Sequence, residues 1–380
     1  MPRLLSLDAL RGVAVVLMME QHLGVWLWHV QDPTRTGVAQ APLYMGLNAL
    51  GGLAAPTFIT LAGVGTSLLV AARPARVDLI LVRRGLVLMA FGYLLNWLTP
   101  SWFSWGSWFV LHLMGLAIAT APLWRRLPTA ALLALEFVLL GLTVAAQHWL
   151  ATPTLLSNDF MRDLGRPGGP VRIALVEGQF PVLPWLGVFL AGMAVGRWLA
   201  AEQTPRPSEP DLPPPPFGPE RRIGQLCRLC LASGITLMLL GLAAAETPAL
   251  AVLREAPWWR FVSVRTSFYP AGPGIVLLLQ AGVLLMLSAA LHIERSKQAE
   301  PARDSGTLVC LGRASLTLLL LHVVLFREIS RPLGAWQAFS WPVALVIIAA
   351  WIALCAVLAR AWQRRGYRFG AEWLLRRLGG

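Results

Sequence analysis

Ten stretches of about 20 apolar residues recur along the chain, near 10–30, 49–72, 80–99, 107–123, 128–148, 181–200, 226–245, 273–292, 307–327 and 341–362. A helix of roughly 20 residues, rising 1.5 Å per residue, crosses the hydrocarbon layer of a bilayer. None of the runs alternates polar and apolar residues as a barrel strand does. Only helices and closed barrels satisfy their backbone groups in lipid, so the expected fold class is all-α. It is a polytopic membrane helix bundle of about ten transmembrane helices. Composition agrees: 56% of residues are hydrophobic, 13% are charged, and mean hydropathy is +0.62. Soluble domains are about one-quarter charged.

A net charge of +13 would suit a nucleic-acid binder, but its placement follows topology instead. Basic residues gather at alternate run ends: Arg73 and Arg76, Arg125 and Arg126, Arg221 and Arg222, Arg295 and Lys297, and Arg360 to Arg368. With the N-terminus inside, the positive-inside rule places both termini in the cytoplasm, as an even number of spans requires. The expected partner is the lipid bilayer, with no nucleic acid. The first run is not expected to be a cleaved leader, because Glu20 and His22 interrupt its apolar core. The spacing Cys227-Arg-Leu-Cys230 has no second pair to complete a zinc site, so no metal is expected.

The runs divide six and four. Residues 1–200 form an N-terminal six-helix part, and 201–224 form a proline-rich cytosolic linker containing "PDLPPPPFGPERR". Residues 225–362 form a four-helix part, and 363–380 a basic amphipathic tail suited to the inner leaflet. Two longer connections on the other side, 149–180 and 246–272, are candidates for covering an external pocket.

The first run carries the chemistry. "SLDALRGVAVVLMMEQH" holds Asp8, Arg11, Glu20 and His22 within an otherwise apolar helix. Ionisable groups inside a membrane are costly and point to function. Arg11 and His22 are eleven residues apart, three turns plus about 20°, so they share one face with roughly 16 Å between them. Asp8 precedes Arg11 by three residues and can pair with it. Glu20 points to the opposite face. His112 and His322 fall at a depth similar to His22, and Asn96 ends the third run on that side. Arg83, Arg84, Arg197 and Arg313 lie near cytosolic ends, as Arg11 does. Two tiers result: arginines that can hold an anionic, phosphate-bearing group, and histidines that can accept a proton.

These stretches resemble a known family. "RLLSLDALRGVAVVLMMEQH" looks like the opening motif of the heparan-α-glucosaminide N-acetyltransferase catalytic-domain family and its bacterial relatives. "APTFITLAGVGTSLL", "VRRGLVLMAFGYLLNWL", "VLHLMGLAIATAPL", "FPVLPWLGVFLAGMAVGRWL" and "LGRASLTLLLLHVVLF" resemble later blocks. "YRFGAEWLLRRL" is similar to the C-terminal motif of YeiB-like membrane proteins, and the Arg11-x10-His22 spacing is shared with type-3 membrane acyltransferases. The animal enzyme typically has asparagine where this chain has His22, and its histidine in the first external loop has no clear match here.

The resemblance implies a transmembrane acyltransferase of the bacterial cytoplasmic (inner) membrane, moving an acetyl group from cytosolic acetyl-CoA to a sugar or glycan acceptor outside. Expected cofactor-binding residues are Arg11, Arg83, Arg84, Arg197 and Arg313. Expected catalytic residues are His22, as general base or acyl carrier, with Asp8, Asn96, His112 and His322 in support. A homodimer is open to such a chain. The rival class is a transporter or flippase for a lipid-linked or anionic solute. Such proteins often show two similar halves, and no repeat is evident here.

Overall fold

The first apolar run becomes the helix around which the rest is arranged. The computed structural model describes residues 4–29, 42–73, 75–203, 219–246, 252, 256, 268–296 and 306–380. Among these the chain is helical, with one isolated β-bridge between Trp28 and Phe339 and no strand. Helix α1 (Leu5–Leu27) is followed by α2 (Pro42–Gly51), α3 (Ala54–Ala72), α4 (Val77–Leu98), α5 (Val110–Trp124) and α6 (Thr129–Trp149). Two short helices, α7 (Asn158–Arg162) and α8 (Gly169–Arg172), lead through a π-turn at Ile173–Glu177 into α9 (Val182–Gln203). Then come α10 (Pro219–Glu246), α11 (Pro273–Ser296), α12 (Thr307–Arg313), α13 (Ser315–Val323, continued as a π-helix to Ile329), α14 (Trp341–Gln363) and α15 (Ala371–Gly379).

Among the described residues each of the ten apolar runs falls largely within helix. Five helices among the described residues are long and apolar enough to cross a membrane. They cover Ala49–Ala72, Thr129–Trp149, Val182–Ala201, Pro273–Glu294 and Trp341–Gln363. A sixth arises if α12 and α13 count as one broken span, bent by 73°. The chain is a helical membrane protein. Helices α1 and α4 carry charges among their apolar residues, and α5 is 15 residues long.

The earlier and the later runs of the sequence meet in space. Helix α12, from the later part, lies directly along α1. The approach is so close that a Cβ on Gly12 would stand 2.0 Å from the Leu308 carbonyl oxygen, and one on Gly312 would stand 1.9 Å from that of Asp8. Small residues are what allow membrane helices to meet backbone to backbone. From α11, Glu294 caps α1: its carboxylate accepts from the Leu5 amide at 2.9 Å, the Ser6 amide at 3.4 Å and the Ser6 hydroxyl. Acidic groups are favoured at a helix N-terminus, where amides are left unpaired.

Two buried clusters result. One gathers Ile59, Leu132, Phe189 and Leu284 from α3, α6, α9 and α11. The other gathers Val15, Leu88, Leu311 and Ile348 from α1, α4, α12 and α14. A cavity opens between them. Of the expected linker, residues 204–218 lie outside the described residues, and its last residues already belong to α10. The basic tail does form a helix, α15, but it docks on α4: Arg84 of α4 donates to the Gly380 carbonyl at 2.7 Å.

Candidate functional site

A cavity of about 720 Å³ runs between α1, α3, α4, α5 and the broken α12–α13 pair. Arg11, Met18, His22 and Trp26, on one stripe of α1, all line it. The shared face expected from their spacing is therefore the face that α1 turns to the cavity. Arg11 and Arg313 stand toward one end and His22 toward the other, about three helical turns along α1.

At the arginine end, Asp8 bridges two guanidinium groups. Arg11 donates to one carboxylate oxygen at 3.0 Å, and Arg313 donates to the other at 3.2 Å. The close meeting of α1 and α12 at Gly12 and Gly312 brings these three together. A carboxylate between two arginines fixes the position of both guanidinium groups at the cavity wall.

At the other end, His22 meets His322 of α13, with 2.9 Å between His22 Nδ1 and His322 Nε2. His322 Nδ1 lies 2.8 Å from the Leu318 carbonyl oxygen. A carbonyl only accepts, so His322 Nδ1 carries its proton and the neutral ring presents a lone pair at Nε2. His22 Nδ1 must then donate to it. The lone pair of His22 is thereby placed on Nε2, which makes no protein hydrogen bond among the described residues. Trp26 stacks on His22 at 5.1 Å and Trp102 meets it edge-on at 5.5 Å, so the ring is held on several sides.

Arg327, not singled out from the sequence, belongs to this end and lines the cavity. Its Nε donates to the Ser101 hydroxyl and its NH2 to the Ser101 carbonyl, both at 3.2 Å. Its guanidinium lies 4.3 Å above the Trp336 ring and 5.5 Å from that of Trp102. The two longer connections contribute here as well: Asn158 and Gln179 from one, and Phe268 and Tyr269 from the other, line the same end. The first connection is locked by Glu177, whose side chain is fully buried. It accepts from Arg166 at 2.6 Å, from Arg172 at 2.7 and 2.8 Å, and from Thr152 at 2.6 Å. Burial alone would raise its pKa, but these donors and the Arg166 charge outweigh burial and hold it below the ordinary value.

Several residues expected at the site stand elsewhere. Arg197 donates to the carbonyls of Leu127, Trp124 and Arg125 and so staples the end of α5. Arg84 is engaged by the tail and Arg83 is exposed on α4; neither reaches the cavity wall. His112 faces α4, against Gly92 and Tyr93, and its Nδ1 accepts the Phe109 amide at the start of α5. Asn96 donates to the Ser107 carbonyl at 2.9 Å and shapes the loop that carries Trp102. Glu20, expected on the opposite face of α1, is buried beside Gly51 and does not line the cavity.

The family pattern described as "Heparan-alpha-glucosaminide N-acetyltransferase, catalytic" matches residues 3–226. The chain belongs to that family. No curated protein matches it in a pairwise comparison. Membership in the heparan-alpha-glucosaminide N-acetyltransferase catalytic family points to a membrane acetyltransferase. The matched region carries Asp8, Arg11 and His22. Arg313 and Arg327 line the same cavity from beyond it, and His322, behind the wall, is bonded to His22.

Proposed function

We propose that this protein is a transmembrane acyltransferase that takes an acetyl group from acetyl-CoA at the arginine end and passes it to a sugar or glycan at the histidine end. The observation that carries the reading is the directed chain from the Leu318 carbonyl through His322 to His22. It leaves a basic nitrogen on the wall of a cavity that also holds Arg11 and Arg313. The distribution of basic residues puts the arginine end in the cytosol of a ten-span arrangement with both termini inside.

In this reading Arg11 and Arg313, fixed by Asp8, bind the phosphates of the donor. The extended pantetheine arm is long enough to carry the thioester toward His22. The acceptor hydroxyl or amine gives its proton to His22 Nε2 as its lone pair attacks the thioester carbonyl. His322 and the Leu318 carbonyl support the positive charge that forms on the ring pair. Arg327 supplies positive potential for the developing oxyanion. The carbon–sulfur bond then breaks, and the thiolate leaves and is protonated from His22. A two-step route through acetylated His22 uses the same lone pair. Stacking surfaces at Trp26 and Trp102 suit a sugar ring.

The test is binding of acetyl-CoA to the protein in nanodiscs, and transfer of labelled acetyl to a panel of glycans. Saturable binding with transfer supports the reading. Absence of binding overturns it.

A further inference from the structure

The C-terminal tail is built into the arginine end of the cavity. Helix α15 docks through Glu372, which accepts from the Leu316 amide at 2.5 Å, the Thr317 amide at 3.0 Å and the Thr317 hydroxyl at 2.6 Å. In return the Thr317 hydroxyl accepts from the Ala371 amide at 2.8 Å. These contacts fill the break between α12 and α13, immediately after Arg313. One turn beyond Glu372, Arg376 lines the cavity. The turn leading into α15 holds Tyr367 and Phe369 in left-handed conformations, at φ 53° and 66°. Non-glycine residues adopt that region at a cost, which persists where the surroundings enforce it. Tyr367 also lines the cavity; its side chain is buried, and its hydroxyl lies beside the Cys310 thiol.

The geometry points to the tail as part of the donor site: Arg376 and the Tyr367 hydroxyl bind the anionic phosphate portion of the acyl donor together with Arg11 and Arg313. This inference rests on the acyl-CoA reading above and extends it to residues outside the matched family region. The charge balance supports it. Glu372 is engaged by two backbone amides and a hydroxyl, and Asp8 by two arginines, so Arg376 adds positive charge to an end whose carboxylates already have partners. A buried phenol whose neighbour is a thiol, a weak hydrogen-bonding group, is one that a stronger hydrogen-bonding ligand would satisfy.

The experiment is equilibrium binding of CoA to the full chain in nanodiscs of neutral phosphatidylcholine, repeated in nanodiscs containing anionic lipid. Arg376→Ala should weaken CoA binding about tenfold, as loss of a hydrogen bond to a charged group does. Arg376→Lys should recover part of that loss, and Tyr367→Phe should weaken binding by a smaller factor. Arg377→Ala removes an equal charge from the neighbouring position, whose guanidinium lies 5.2 Å from the Trp373 ring, and should leave binding unchanged. Thermal unfolding of each variant near that of the wild type confirms that the fold is intact. CoA binding by the wild type with no change in Arg376→Ala overturns the tail assignment alone. An effect of Arg376→Ala seen only with anionic lipid assigns the arginine to headgroups and overturns it as well. Failure of the wild type to bind CoA overturns the acyl-CoA reading itself.

Discussion

Two places in this molecule set one carboxylate between two arginines, and they do opposite things. Glu177, between Arg166 and Arg172, has both oxygens filled, is fully buried, and accepts a further hydrogen bond from the Thr152 hydroxyl. Each of its arginines also donates to a backbone carbonyl, Arg166 to Phe160 and Arg172 to Leu150. Asp8, between Arg11 and Arg313, is also buried, but its arginines stand on a cavity wall. One triad is closed and locks a connection; the other is open and can receive an anion. Arg166 also has Asp163 within 3.7 Å, so the lock holds a second carboxylate, and its guanidinium groups face carbonyls where those of the other triad face a cavity.

That contrast can be broken most forcefully at the lock. Glu177→Gln leaves two partly buried arginines without their shared anion and should cost about 3 kcal/mol of stability, measured as a lowered thermal midpoint. Donor affinity should change little in the folded fraction. Acid should act on the same group. Glu177 is held below its ordinary 4.5, so its contribution is fully present above that value and fades as pH falls through the depressed native one. The wild type should therefore lose thermal stability at low pH by more than Glu177→Gln does.

The open triad should show the reverse pattern. Arg11→Ala or Arg313→Ala should weaken acetyl-CoA binding about 10- to 100-fold, with a thermal midpoint close to that of the wild type. A midpoint that collapsed in either variant, with affinity unchanged, would make this triad a second lock. His322→Ala should spare binding and lower the transfer rate about 10- to 100-fold, through loss of the partner that orients His22. The smallest effects belong to two arginines that sequence alone grouped with the donor site. Arg197→Ala should loosen the end of α5, and Arg83→Ala should do almost nothing. Both should bind acetyl-CoA within about twofold of wild type, as expected of positions away from the site.

The sequence displayed one wall of the site and concealed the others. Arg11 and His22 were legible because both sit on one helix, where a separation of eleven residues fixes a common face. His322 could be matched to His22 in depth, but no periodicity shows that α13 folds back to α1, some 300 residues away. Arg327 escaped notice because an arginine at the end of an apolar run reads as an interfacial anchor. Arg83, Arg84 and Arg197 have that same appearance; the structure places two of them on backbone carbonyls and one in the open. The amphipathic tail read as a surface helix because its docking partner, the break at Ala314, is a tertiary feature. Apolar runs announced helices well, since length and composition are local properties. How those helices pair depends on close approaches such as Gly12 against Leu308, which no single stretch reveals.

The central claim is that His22 is the base of an acetyl transfer supplied from the arginine end. It is tested most directly by measuring, on one preparation of His22→Ala in nanodiscs, both acetyl-CoA affinity and acetyl transfer to a glycan that the wild type uses. The account predicts affinity within a few-fold of wild type and transfer reduced by about 100-fold or more. Transfer at the wild-type rate, or solute flux across the membrane that persists in His22→Ala without any acetyl transfer in either protein, would contradict it.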